Sequence, residues 1–181
     1  MNFKKNILDS LLVREAQRGN ERALSILVSR WHSKLCFHAN WYLNDADASK
    51  DIAQDTWRVA ILKLNTLKDP NKFGGWLLTI ARRKAIDELK KRSKKTQIQT
   101  NESHMETIAT IKASKTNDAV DVLRLAIRSL SKEKQQILHL FYTENFNVRS
   151  ISEILGIPVG TVKSRLFSAR KELKITLKNK L

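Results

Sequence analysis

The side chains best suited to chemistry lie near the end of the sequence, where Thr161, Lys163, Ser164, Arg165, Phe167, Ser168 and Lys171 share a segment of helical periodicity. Lys and Arg can bond guanine edges or phosphates, Ser and Thr serve either, and an apolar side chain suits a thymine methyl. This is the chemistry of reading a nucleic-acid groove. Other chemistries find less support. His32, Cys36 and His38 form an H-x-x-x-C-x-H run, but structural zinc takes four ligands and no fourth is nearby. His104 and His139 have no Ser, Cys or carboxylate arrangement that would suggest a triad. Asp51 and Asp55 are the only close acidic pair on a plausible helical face, and no His accompanies them, which argues against a nuclease. Gly74-Gly75, Gly156 and Gly160 lack the spacing of a phosphate loop. The protein is therefore expected not to be an enzyme and to bind neither metal nor cofactor.

A groove reader needs a scaffold, and the apolar pattern supplies one. Val159, Val162, Leu166, Ala169 and Leu173 recur three and four apart and form a row to be buried. That places Gly160, Ser164, Phe167, Ser168 and Lys171 broadly opposite, with Thr161, Lys163 and Arg165 on the flanks. Val148 to Leu155 reads as a short preceding helix and Gly156-Ile157-Pro158 as the turn, which together make a helix-turn-helix. Another helix begins after Ser131, with Ile137, Leu138, Leu140 and Phe141 apolar.

Three more helices are legible upstream. Asn20-Glu21 opens one carrying Ala23, Leu24, Leu27, Val28, Trp31, Leu35 and Phe37. A second starts near Asp45 to Asp47 and carries Ile52, Ala53, Trp57, Ala60, Ile61 and Leu64, before Leu67-Lys68-Asp69-Pro70-Asn71 breaks it. A third runs from about Phe73 or Trp76, with Leu77, Leu78, Ile80, Ala81, Ala85, Ile86 and Leu89 on its apolar side. Arg82, Arg83, Lys84, Lys90, Lys91 and Arg92 crowd its other side.

The chain has 181 residues with 34 Lys plus Arg against 18 Asp plus Glu, a formal charge of +16 that calls for an anionic partner such as nucleic acid. The excess is divided, with +8 on residues 1–92, +1 on 93–120 and +7 on 121–181. The middle is rich in Ser, Thr, Asn, Gln and Lys and has no aromatic residue, so it reads as a flexible linker. Fully extended it would reach roughly 80 Å. A single cysteine excludes an internal disulfide and suits a reducing compartment. No apolar run approaches the ~18 residues of a membrane span, and the first twenty residues lack the apolar core of a secretory signal. A cytoplasmic monomer without membrane insertion is expected. The fold class is all-α: two small helical domains, 1–92 and 121–181, joined by the 93–120 linker, the second ending in the helix-turn-helix.

The segment ISEILGIPVGTVKSRLFSARKEL, Ile151 to Leu173, resembles the last helix-turn-helix of bacterial sigma factors, and Leu130 to Tyr142 resembles the helix before it. DIAQDTW, Asp51 to Trp57, and FGGWLLTIARRKAIDELKKR, Phe73 to Arg92, match sigma domain two in order and spacing. With no room for other domains, the chain resembles an extracytoplasmic-function sigma factor of bacterial RNA polymerase. The resemblance implies that Asp51, Gln54 and Asp55, which share one helical face, dock on a coiled coil of core RNA polymerase. It implies that the loop before the third helix and that helix's exposed face melt the minus-ten element and hold a flipped base. Phe73 and Trp76 would lie near that path, with Arg82, Arg83, Lys84, Lys90, Lys91 and Arg92 on the promoter DNA. In the second domain it supports Lys163, Ser164 and Phe167 as inner readers of the minus-thirty-five element and Lys171 as a phosphate contact. An anti-sigma factor is a further implied partner.

Two departures from the family pattern stand out. Arg83 occupies the position after the Ala-Arg pair where the family usually has Asn, and Ser152 occupies a tight-packing site that usually holds Ala. A free-standing helix-turn-helix regulator, with the first lobe as a sensor or dimer module, is the competing reading. Pull-down of core polymerase subunits separates the two.

Overall fold

The computed structural model describes residues 3–98 and 118–178, with side chains for 7–94 and 122–178. Among the described residues all regular structure is helical, as the apolar periodicity requires. Contacts divide the chain into two compact units. The expected linker lies largely outside the described residues, and its two ends prove helical.

The first unit contains α1 (Phe3–Gln17), α2 (Glu21–Leu43), α3 (Ala46–Lys63) and α4 (Phe73–Ile98). Each junction is written in local chemistry. Gly19, at φ +91°, turns the chain out of α1, and the Asn20 side chain caps α2 by accepting from the Ala23 amide. Asn44 ends α2 in the left-handed region, and Asp45 at once caps α3 by accepting from the amides of Asp47 and Ala48. Leu27, Trp31, Leu35, Ile52, Ala53, Trp57, Leu77, Leu78 and Ala81 form the buried interior. Phe37, Ile61 and Leu89, assigned to the apolar stripes, are exposed instead. They sit roughly 80–135° around their helices from the centre of each buried stripe, too far to reach the core.

Helix α1 had no signal strong enough to be read from sequence. It is fastened by Asp9, a buried carboxylate that accepts from Arg30 Nε at 2.8 Å and from Trp31 Nε1 at 3.2 Å. The Trp31 ring then meets Phe73 edge-on, with centroids 5.9 Å apart, and so seats the start of α4.

The second unit contains α5 (Asp118–Arg128), α6 (Lys132–Leu138), a π-helical turn over His139–Thr143, α7 (Val148–Leu155) and α8 (Val159–Lys178). Ile137, Leu140, Ile151, Ile154, Val162, Leu166 and Ala169 are its interior. The helix-turn-helix closes on two devices. Gly156 adopts φ +60°, and its neighbour Ser152 donates from Oγ to the Ile157 carbonyl at 2.6 Å. Ser152 therefore fits the tight site and adds a bond across the turn that Ala could not make. Val159, expected in the buried row, is 40 % exposed, because it lies in the first turn of α8, ahead of the buried Val162, Leu166 and Ala169.

Two outcomes follow. A Cβ on Gly74 would lie 2.2 Å from Cη2 of Trp31, so Gly74→Ala should force the indole aside and destabilise the first unit by about 1–3 kcal/mol in thermal unfolding followed by tryptophan fluorescence. In the second unit the Lys134 ammonium holds the Glu172 carboxyl below the usual carboxylate range, with Ser168 assisting. A depressed carboxylate stabilises the fold above its unfolded-state pKa and loses that contribution as pH falls through the lowered value. Glu172→Gln should therefore reduce the acid sensitivity of the unfolding midpoint below about pH 5, measured by circular dichroism.

Candidate nucleic-acid interface and docking face

On α3, Asp51 and Gln54 are exposed and share a face with the half-buried Asp55. Asp55 accepts from Arg58 at 2.8 Å and faces Lys84 of α4 at 3.8 Å, so its charge is partly committed inside the unit. The same face continues at helical spacing through Arg58 to Leu62, which is 84 % exposed. The face thus begins acidic and ends apolar. Leu62 went unnoticed in the sequence, although its distance of seven residues from Asp55 was the available signal.

The six basic residues assigned to α4 separate into three sets. Arg83, Lys90 and Lys91 are exposed, and Lys94, which was not singled out, extends their row one turn further. Arg82 is half-buried. Lys84 and Arg92 do not stand clear as expected. Lys84 faces Asp55, while Arg92 bonds Glu88 within α4 and reaches Asp45, both at 3.1 Å. The Ala48 amide, and after it the Arg92 guanidinium, hold the Asp45 carboxyl below its usual range. Arg92 therefore ties α4 to the cap of α3, and its availability to DNA is correspondingly reduced.

Phe73 is a correction. Its ring is 1 % exposed, edge-on to Trp31 and tilted against Trp57, so it is core and presents nothing to a nucleic acid. Trp76 is half-buried with its ring 6.1 Å from that of Phe73. On sequence grounds an aromatic at the start of a helix is more often core than stacking platform, and Phe73 is core. The loop before α4 contains short 3-10 turns at Leu64–Thr66 and Pro70–Lys72. The side chain of Asp69 accepts from the Asn71 backbone amide at 3.0 Å, and the loop's exposed side chains include Asn65, Thr66, Lys68, Asn71 and Lys72.

On α8, Lys163, Ser164, Phe167 and Lys171 are all exposed and lie within an arc of roughly 100°. Phe167 is 71 % exposed, an apolar ring held in water by a helix whose opposite side is core. Ser164 donates its hydroxyl proton to the Thr161 carbonyl at 3.1 Å, which leaves its outward oxygen free to accept. Thr161 itself is half-buried. Two other expected contacts turn inward. Arg165 is half-buried and helps hold the Glu133 carboxyl below its usual range, behind the stronger effects of the Glu133 amide and Ser131. Ser168 is half-buried and bonds Glu172 at 3.3 Å. Arg170 was missed: its Nε donates to Tyr142 at 2.8 Å and its guanidinium lies over the Phe141 and Tyr142 rings.

His32 Nε2 lies 3.6 Å from Cys36 Sγ, and burial pushes that thiol up, away from a metal-binding thiolate. Among the described residues no three His, Cys, Asp or Glu side chains gather as a metal site would require. No described helix is long and apolar enough to cross a membrane.

Residues 27–95 match the family Sigma-70 region 2, and residues 121–173 match Sigma-70, region 4. RNA polymerase sigma factor SigV of Bacillus subtilis is 31 % identical over 137 residues, covering 75 % of this chain and 80 % of the relative. RNA polymerase sigma-H factor of Pseudomonas aeruginosa is 25 % identical over 176 residues, covering 91 % of each. The fold is also that of the sigma factor RpoE from Bartonella quintana, solved in complex with the anti-sigma factor NepR, at a TM-score of 0.66 and 24 % identity over 86 % of this chain and 96 % of that one.

Proposed function

The chain belongs to the extracytoplasmic-function sigma factors, which recognise promoters and start transcription with core RNA polymerase, and we propose a division of that work among its residues. Residues 1–92 dock on core polymerase and melt the minus-ten element, residues 121–181 read the minus-thirty-five element, and 93–120 join them.

The outward strip on α8 carries this reading. Lys163 suits guanine O6 and N7, Phe167 suits a thymine methyl, and the free lone pairs of Ser164 suit a cytosine amino group. Lys171, farther along the same arc, suits a phosphate. Arg165 and Ser168 support the helix against Glu133 and Glu172 and read no bases. In the first domain Asp51 and Gln54 face basic groups of the polymerase, and Leu62 adds apolar area at the end of that face. Arg83, Lys90, Lys91 and Lys94 track the phosphate backbone. At Arg83 a guanidinium replaces the family's usual carboxamide, so this position offers charge where relatives offer a donor-acceptor pair. The chain acts in the cytoplasm as a monomeric specificity subunit, with no catalysis or cofactor of its own. An anti-sigma factor is its further partner, and the exposed Leu123, Leu125 and Ile175 of the second domain offer apolar surface for one.

Replacing Asp51 and Gln54 together by Lys should weaken core polymerase binding at least tenfold while circular dichroism stays unchanged; full affinity would move the docking surface elsewhere. In promoter-variant transcription, Lys163→Ala and Phe167→Ala should each cost on the order of 1–3 kcal/mol and relax preference at one or two minus-thirty-five positions. Lys171→Ala should weaken all sequences alike and lower the salt slope by about one. The opposite pattern would mean that α8 enters the groove in another rotation.

A further inference from the structure

The loop of residues 64–72 is held by a residue about fifty positions away. Nε2 of Gln17, the last residue of α1, donates one hydrogen to the Leu64 carbonyl and the other to the Leu67 carbonyl, both at 2.9 Å. The Leu64 carbonyl also accepts from the Leu67 amide at 3.1 Å, which closes the first 3-10 turn. One carboxamide therefore grips both ends of that turn.

The gripping residue is itself immobilised. The amides that follow it fold back, Arg18 onto Arg14 and Glu15, Gly19 onto Ala16, and Asn20 onto Glu15. Asp9 holds the same helix to Arg30 and Trp31 of α2. Between the two gripped carbonyls stand Asn65 and Thr66, both exposed, with Thr66 Oγ1 donating to the Lys63 carbonyl at 2.7 Å. Leu64 is buried beneath them. The turn is thus pinned from below by an apolar side chain and from one side by the Gln17 fork, and its polar tip faces out.

We infer that Gln17 is a positioning residue for promoter melting: its carboxamide fixes the 64–67 turn in the shape that meets the melted strand, so minus-ten base preference depends on a side chain of α1. This rests on the reading of the 64–72 loop as part of the minus-ten path. The bonds to carbonyls require a double donor, and that requirement separates positioning from packing. Gln17→Met keeps length and volume without a donor. Gln17→Glu keeps the shape and turns acceptors toward acceptors. Gln17→Lys restores N–H donors.

The experiment uses holoenzyme reconstituted from core polymerase and each full-length variant. It measures transcription from promoters with the preferred or a substituted minus-ten base, and the fluorescence of 2-aminopurine placed in the melted strand. Gln17→Met and Gln17→Glu should reduce the minus-ten preference about three- to tenfold and lower the 2-aminopurine signal. Core affinity, minus-thirty-five preference and the unfolding midpoint should stay close to wild type, and Gln17→Lys should recover most of the loss. Unchanged minus-ten preference in both donorless variants would overturn the inference. So would a loss shared equally by minus-thirty-five preference and core affinity, or a failure of Gln17→Lys to recover. A wild-type holoenzyme with no minus-ten preference would overturn the underlying reading of the loop, and is recognised without any variant.

Discussion

The close packing of Trp31 on Gly74 is the constraint from which the first domain follows. Its indole N–H bonds the buried Asp9 of α1, its edge meets Phe73, and Gly74 passes so near the ring that no side chain fits between. Lys34 covers the indole at 4.4 Å from its centroid. Three helices are thereby registered on one side chain. The placement of α4 sets where its cationic row stands, and α4 in turn supplies Lys84 to Asp55 on the α3 face. Moving the indole would shift the α3 face and the α4 cationic row together.

Charge in this molecule is used twice. A chain with formal charge +16 repels itself, and its carboxylates are placed where they tie elements together. Asp45 and Glu88 take Arg92, Asp55 takes Arg58 and Lys84, and Glu172 takes Lys134. Among the cations that remain outward on the described helices are Arg83, Lys90, Lys91 and Lys94 along α4 and Lys163 and Lys171 along α8.

How far the sequence could be read depends on the range of each interaction. The α8 row, the Gly156 turn and the caps at Asn20 and Asp45 are local, decided within one or two helical turns, and were legible. The buried face of α8 held at Val162, Leu166 and Ala169. What escaped was nonlocal. The sign of Arg92, Lys84 and Arg165 could be read, but not that a carboxylate from another part of the fold stands beside each. Phe73 could have been a platform or core, and only the three-dimensional position of Trp31 decides. Gln17 has no local signature, because its two acceptors lie 47 and 50 residues away and are backbone atoms, which every residue carries.

The phenyl ring of Phe167 makes α8 thermodynamically conspicuous. The ring is hydrated over most of its surface and is carried on a helix whose opposite side is core. A partner that covered it would transfer apolar area out of water without reorganising the domain, and the encounter would carry a negative heat-capacity change assignable to one side chain. Association that covered the ring would be more temperature-dependent in its enthalpy than a purely ionic contact of the same strength.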